Sequence, residues 1–319
     1  MAELLLIGDA TDAMLRRLDE SFVVHRMQRI DDLPAFLSEY GERIEYVATN
    51  GHDGVRSEIM TALPGLKLIS CYGVGYDTID VRTCVARGIM VTHTPGVLND
   101  EVATTAVMLM LACRRDLIRN DAYVRAGRWE AEGNAPLGRT ADNRKVGILG
   151  FGRIGRTIAG KLGAFNATVF YHARSRKDVP FKYYADLVEM AHDAEVLICI
   201  TPGGSGTHKI VGRAVIDALG PQGTLINVGR GSVVDETEMI AALQDGRLGW
   251  AGLDVFEAEP RVPAALRTMS NVVLLPHVGS ATVETRAAMG DLVVDNLLQF
   301  LASATVKTPV PECAHMAKA

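Results

Sequence analysis

No run in this sequence reaches the roughly 18 consecutive apolar residues that span a bilayer. The longest candidate, Ala106 to Cys113 (AVMLMLAC), reads as a buried helix. The opening Met1-Ala-Glu-Leu-Leu-Leu-Ile-Gly8 lacks a basic n-region, so it reads as a first strand rather than a signal peptide. No membrane partner is expected. The cysteines Cys71, Cys84, Cys113, Cys199 and Cys313 are scattered and form no CxxC pair. That excludes the usual disulfide and zinc patterns and points to reduced thiols in a cytoplasmic setting, with no metal. Cys199, inside Val196-Leu-Ile-Cys-Ile200, reads as core packing and not as a nucleophile. Excess positive charge is missing too. A net charge of −5 argues against nucleic acid or an anionic membrane as the main partner. Repeats, low-complexity stretches and flexible linkers are absent.

What is present is a regular alternation. The 319 residues are too many for one ordinary core and suit two domains. Short apolar runs alternate with helix-period segments, the βαβ signature of a mostly parallel sheet. The first unit predicts strands near 3–8, 22–26, 45–49, 67–70 and 89–92, with helices near 10–20, 31–39, 54–62 and 80–87. Asn99 to Gly127 then reads as one long helix, and 128–143 as a loop. From Lys145 a second alternation predicts six strands, near 145–150, 168–172, 195–201, 223–228, 249–254 and 271–276. These are apolar without period two, as strands covered on both faces should be. Thr282 to Ala302 predicts a last long helix that returns to the first unit. The expected fold class is α/β, with two Rossmann-like doubly wound parallel-sheet domains, the first discontinuous. The expected boundaries are 1–98 plus 287–319 for a substrate-binding domain and 99–286 for a dinucleotide-binding domain.

The turn Gly150-Phe151-Gly152-Arg153-Ile154-Gly155 follows a predicted strand and opens a predicted helix. In that context the first glycine permits the tight turn and the second lets the backbone approach a pyrophosphate. The third lets helix and strand pack closely. Amides at the helix start face the phosphates. An NAD-preferring site would carry an acid about 20 residues later, at the end of the second strand. Here that strand ends His172-Ala173-Arg174-Ser175-Arg176-Lys177, with no acid until Asp178. Two guanidiniums and a hydroxyl match a phosphate monoester in charge and geometry. NADP(H) is therefore expected over NAD(H), with an ordinary solvated basic loop as the alternative.

Arg230, Glu259 and His277 sit downstream in Asn227-Val-Gly-Arg-Gly231, Asp254-Val-Phe-Glu-Ala-Glu-Pro260 and Pro276-His-Val-Gly279. A cation, a carboxylate and a histidine at successive strand ends are the parts needed to reduce a 2-keto acid by hydride transfer. A guanidinium can hold a carboxylate and a neighbouring carbonyl together. A histidine can move the proton, and an adjacent carboxylate favours imidazolium.

With these strings the chain resembles the D-isomer-specific 2-hydroxyacid dehydrogenase family, in particular its NADP-preferring glyoxylate/hydroxypyruvate reductase branch. The likeness also includes Gly73-Val-Gly-Tyr-Asp77, Thr201-Pro-Gly-Gly204, Leu225 to Asp235 and Gly252-Leu-Asp-Val-Phe256, and so covers nearly the whole chain. The resemblance implies that Arg230 binds the substrate carboxylate and that His277 is the acid in reduction and the base in oxidation. It implies that Glu259 bonds the far ring nitrogen, and that the amides of Val74 and Gly75 also take the carboxylate. Asp254 would accept from the nicotinamide carboxamide. Thr105, Thr201, Pro202, Thr207, Gly229 and Gly279 would line the cofactor. A homodimer is implied, with Trp129 either anchoring its own loop or reaching a neighbouring subunit's site. The expected activity is NADPH-dependent reduction of glyoxylate to glycolate and of hydroxypyruvate to D-glycerate. The same chemistry on bulkier acids such as phenylpyruvate is the runner-up, and a dinucleotide-sensing binding protein is a distant third.

Overall fold

The computed structural model describes residues 1–316. It divides into two compact units, Met1–Leu98 with Thr282–Ala319, and Asn99–Ala281. The chain returns to the first unit at Thr282, not at 287 as expected, because Thr282 caps the helix Val283–Ser303 and the whole helix belongs there. Residues 317–319 of the expected span lie outside the described residues.

In the first unit β1 (Ala2–Leu6), β2 (Phe22–Arg26), β3 (Ile44–Asn50), β4 (Leu68–Tyr72) and β5 (Met90–Thr92) form one sheet in the order β2-β1-β3-β4-β5. Every ladder is parallel. The helix Val283–Ser303 packs on β4, with Val293, Val294 and Leu297 fully buried. Ser70 Oγ and Tyr72 Oη donate to backbone carbonyls of this helix, at Val293 (3.2 Å) and Arg286 (2.8 Å). This is why the last long helix completes the first domain: a strand buried along its whole length needs a cover on each face.

In the second unit β6 (Lys145–Leu149), β7 (Thr168–His172), β8 (Lys182–Tyr184), β9 (Val196–Cys199), β10 (Thr224–Asn227), β11 (Trp250–Leu253) and β12 (Val272–Leu274) form a parallel sheet in the order β12-β11-β10-β9-β6-β7-β8. That is seven strands where the sequence predicts six. The missed one, β8, is three residues at the sheet edge with a single neighbour, too short to show a pattern. The order reverses between β6 and β9, which opens a crevice at the carboxyl ends of those strands.

The expected single helix from 99 to 127 is two, Asn99–Arg114 and Leu117–Arg125, and part of the expected loop is a short helix, Arg128–Glu132. Asp116 sits at φ +49, in the left-handed region. The break comes from tertiary contacts, which override helix periodicity. The amide of Arg139 takes the carbonyl of Arg114 (2.8 Å), and the buried Arg114 guanidinium donates to the carbonyl of Thr140 (3.2 Å). Gly127, at φ +69, then ends the second piece.

Candidate active site

The glycine turn follows β6 and its three glycines do different things. Gly150 has φ +99, and a Cβ there would lie 3.0 Å from the amide nitrogen of Thr201. At Gly155 a Cβ would lie 2.4 Å from the carbonyl oxygen of Gly150. Gly152 is the opposite case, exposed, with nothing within 4 Å of the Cβ position. It opens the helix Arg153–Leu162 with no side chain on the first amides. The crevice thus has two glycines that packing demands and one that keeps space free for a ligand. The hydroxyl of Thr201, across the switch point, is buried without a protein partner. These features fit a dinucleotide whose pyrophosphate meets the helix start.

Arg230, Glu259 and His277 rise from the loops after β10, β11 and β12, three adjacent strands. His277 Nδ1 lies 2.7 Å from Glu259 Oε2. Glu259 Oε1 accepts from the amide of Phe256 (2.9 Å), so both carboxylate oxygens are fixed. With Nδ1 so engaged, Nε2 is the ring atom left to exchange a proton with a substrate. The histidine side chain is 44% exposed and the glutamate only 17%, so the pair offers its ring outward and shields its carboxylate.

Asp254 braces the histidine loop. It is buried, 1% exposed, and its carboxylate accepts from the amides of Val278 (2.7 Å) and Gly279 (2.8 Å). Its carbonyl accepts from the amide of His277 (2.9 Å). Three bonds from one residue hold a loop in which His277 adopts φ +55, a conformation that L-residues resist. Burial pushes the Asp254 carboxyl above its ordinary value, against the pull of those two amides. Thr105 adds a fourth tie, its hydroxyl donating to the carbonyl of Gly279 (3.3 Å).

The sequence reading missed Asn227. Its Oδ1 accepts from the amide of Gly229 (3.1 Å) and its Nδ2 donates to the carbonyl of Arg230 (2.9 Å), clipping the turn that presents the guanidinium. An Asn side chain that accepts from the amide two residues on makes an Asx turn, and an Asn closing a strand is a signal for one. Gly229 is buried, and a Cβ there would lie 2.7 Å from the carbonyl oxygen of Thr201. Thr207 folds back on its own loop, donating to the carbonyl of Pro202 (2.7 Å).

On the other side of the switch point, β7 ends at the partly buried His172 and the loop after it carries Arg174, Ser175 and Arg176 exposed. The remaining expected residues, Val74 and Gly75, belong to the first unit, in the loop after β4. There His93 Nδ1 meets the carbonyl of Val74 at 3.0 Å, and the Cys71 thiol reaches the carbonyl of Gly75 at 3.7 Å. Burial pushes the Cys84, Cys113 and Cys199 thiols up to about 12, which removes them as nucleophiles.

The chain is similar to known proteins along most of its length. Residues 107–279 match the family model described as D-isomer specific 2-hydroxyacid dehydrogenase, NAD binding domain. The chain is 44% identical over 296 residues to hydroxyphenylpyruvate reductase of Plectranthus scutellarioides, covering 92% of this chain and 94% of that protein. A glyoxylate/hydroxypyruvate reductase of Arabidopsis thaliana is also 44% identical, with the same coverage of each. Among solved structures, the NADPH-dependent glyoxylate/hydroxypyruvate reductase of Sinorhizobium meliloti, in complex with NADP and malonate, superposes with a TM-score of 0.92. It shares 45% identity over 98% of this chain and 97% of that one. Motifs, fold and likeness agree, and the chain belongs to the D-isomer specific 2-hydroxyacid dehydrogenase family.

Proposed function

We propose that this enzyme reduces small 2-keto acids, glyoxylate to glycolate and hydroxypyruvate to D-glycerate, with NADPH preferred over NADH. The observation that carries the chemistry is the 2.7 Å His277–Glu259 pair on a braced loop, beside the strand end that presents Arg230. When bound, the dihydronicotinamide supplies a hydride to the keto carbon. Arg230 grips the carboxylate and polarises the carbonyl, and His277 Nε2 gives its proton to the oxygen. Glu259 holds the ring in the orientation and tautomer that leave Nε2 free for this. Each turnover therefore consumes one proton and one NADPH and yields a 2-hydroxy acid. For the first unit, the amides of Val74 and Gly75 are proposed as further carboxylate donors. Arg174, Ser175 and Arg176, with no acid before Asp178, support the preference for a 2′-phosphate.

A second reading, the same chemistry on bulkier 2-keto acids, is favoured by the relatives named hydroxyphenylpyruvate reductase and, at 41% identity, 2-ketogluconate reductase. Oxidation of NADPH and NADH measured against glyoxylate, hydroxypyruvate, pyruvate and phenylpyruvate separates the two. The first reading requires the highest kcat/KM on the two small acids, and a preference for phenylpyruvate would replace it with the second. The double substitution Arg174→Ala with Arg176→Ala should weaken NADPH use by about tenfold or more and spare NADH. Equal losses would remove the phosphate-site reading.

A homodimer is proposed as well. Leu117, Ile118, Val124, Trp129 and Leu137 are all more than half exposed and lie within 21 residues of the second unit, apolar side chains that a second copy would cover. Light scattering on the purified protein tests it, and a monomer at micromolar concentration would refute it. The five cysteines, all free and buried, support a reducing, cytoplasmic location.

A further inference from the structure

The basic loop after β7 is anchored at both ends by tyrosine hydroxyls, and neither tyrosine belongs to the nucleotide motif. Tyr171, in β7, is fully buried. Its hydroxyl accepts from the amide of Lys177 (2.7 Å) and donates to the carbonyl of the same residue (3.2 Å). A phenol has one donor and a ready acceptor, and one residue's main chain uses both. Tyr183, paired with Tyr171 across the β7–β8 ladder, donates to the carbonyl of Ala173 (3.2 Å). The two hydroxyls thus pin residues 173 and 177, and the three exposed side chains between them are Arg174, Ser175 and Arg176. Within the segment, the Lys177 ammonium donates to Ser175 Oγ (3.0 Å).

The ring of Tyr171 reaches the other phosphate element. It stacks on Phe151, the second residue of the glycine turn, with centroids 4.3 Å apart and planes 28° from parallel. Phe181 closes on Phe151 from the side at 5.6 Å. The amide of Gly150 also donates to the carbonyl of His172 (2.9 Å). One side chain therefore ties the turn that would meet the pyrophosphate to the loop that would meet the ribose.

We propose that Tyr171, seconded by Tyr183, is a positioning residue for cofactor selectivity: its hydroxyl holds the 173–177 loop in the shape that aims Arg174 and Arg176 at a 2′-phosphate. This rests on the reading of that loop as the phosphate site. A five-residue loop free to move would have to be ordered at each binding event, and ordering it beforehand removes that entropy loss. Only a ligand carrying the 2′-phosphate uses the two arginines, so only that ligand gains from the order.

Tyr171→Phe keeps the ring on Phe151 and deletes the hydroxyl. The dissociation constants of adenosine 2′,5′-bisphosphate and adenosine 5′-monophosphate, measured by calorimetry, isolate the 2′-phosphate increment without any turnover. For Tyr171→Phe the bisphosphate should weaken about five- to tenfold, with the monophosphate within twofold. The KM for NADPH should follow the bisphosphate, and kcat at saturating NADPH should hold. Tyr183→Phe, nearer the surface and with one bond to lose, should move the same ratio by a smaller factor. It provides the test should Tyr171→Phe fail to fold. If both ligands weaken equally, or neither does, the positioning role is wrong. The double arginine variant separates the two ideas. A ratio unmoved by removing both arginines overturns the phosphate-site reading itself. A ratio that falls there but not in either tyrosine variant overturns only this inference.

Discussion

The molecule contains two parallel sheets whose strand order reverses, between β1 and β3 in the first unit and between β6 and β9 in the second. The two switch points are built on different residues. After β1 the helix Asp12–Ser21 begins at Thr11, whose hydroxyl accepts from the amide of Met14. Beside it Asn50 and Asp53 bond each other at 2.7 Å, and a Cβ on Gly8 would lie 2.2 Å from both side chains. That crevice is filled by the chain's own polar groups. After β6 the corresponding helix begins at Gly152, with no capping side chain and open space in front of it. A doubly wound sheet offers a ligand crevice, and local sequence decides whether the protein fills it or leaves it for a cofactor. Two histidine–carboxylate pairs, one in each unit, differ in the same way. His25 Nε2 lies 2.8 Å from Glu3, a geometry close to that of His277 with Glu259, but its side chain is 16% exposed and packs against Phe36 and Tyr40.

The largest expected effect breaks that second resemblance. His277→Ala should lower kcat by about 10²- to 10⁴-fold with little change in NADPH affinity, as removal of a general acid does. His25→Ala should leave kcat within twofold and show up in thermal melting instead. Near-normal turnover in the first variant, or a comparable loss in the second, would mean that exposure and setting do not distinguish the pairs. A smaller effect comes from exchanging the caps. Gly152→Asp gives the second helix what Thr11 gives the first, and its φ of −86° and empty surroundings allow the side chain. The ligand-free protein should gain about 0.5–1 kcal/mol while NADPH binding weakens about 100-fold, because a carboxylate then occupies the anion site. Thr11→Ala should lose about 1 kcal/mol of stability and leave NADPH binding unchanged. Calorimetric titration and urea unfolding read both quantities. An unaltered NADPH affinity in Gly152→Asp would show that this helix start does not receive the phosphates.

Much of this contrast was visible in the sequence, for a physical reason. Glycines at fixed offsets, a Pro-His-Val-Gly string and buried apolar strands are local signals, and local chemistry fixes what they do. The misses depended on partners far along the chain. The helix from 99 breaks at Asp116 because the segment 138–140 docks against its end, and no periodicity near 116 announces that. β8 has three residues and one neighbour, so it exists only because β7 is there to pair with. That the Asp254 carboxylate braces the histidine loop was not legible either, because its partners lie 24 and 25 residues ahead. The tyrosine anchors were hidden for the same reason. Tyr183 matters to the loop at 173 only once β8 is placed beside β7.

The smallest expected effect concerns one carboxylate in each unit, shifted in opposite directions. In the second unit burial raises the Asp254 carboxyl above its ordinary 3.8. In the first unit Asp295 is also pushed up by burial, but bonds from Arg17 (2.7 Å) and Lys307 (2.7 Å) outweigh this and hold it below 3.8. A group held low in the folded chain stabilises above its unfolded value, and that contribution is lost as pH falls through the lowered one. A group held high does the reverse: its contribution is complete below 3.8 and is lost as pH rises through the raised value. Asp295→Asn should therefore lower Tm at pH 7 by about 1–2 °C, since the ion pairs are partly exposed. The deficit should shrink as pH drops below 3.8. Asp254→Asn should show the opposite trend, losing least relative to the parent at neutral pH and most in acid. Melting curves from pH 3 to 7 compare the two slopes. Parallel slopes would mean that the buried loop brace and the surface ion network titrate alike, and the electrostatic half of the contrast between the units would fall.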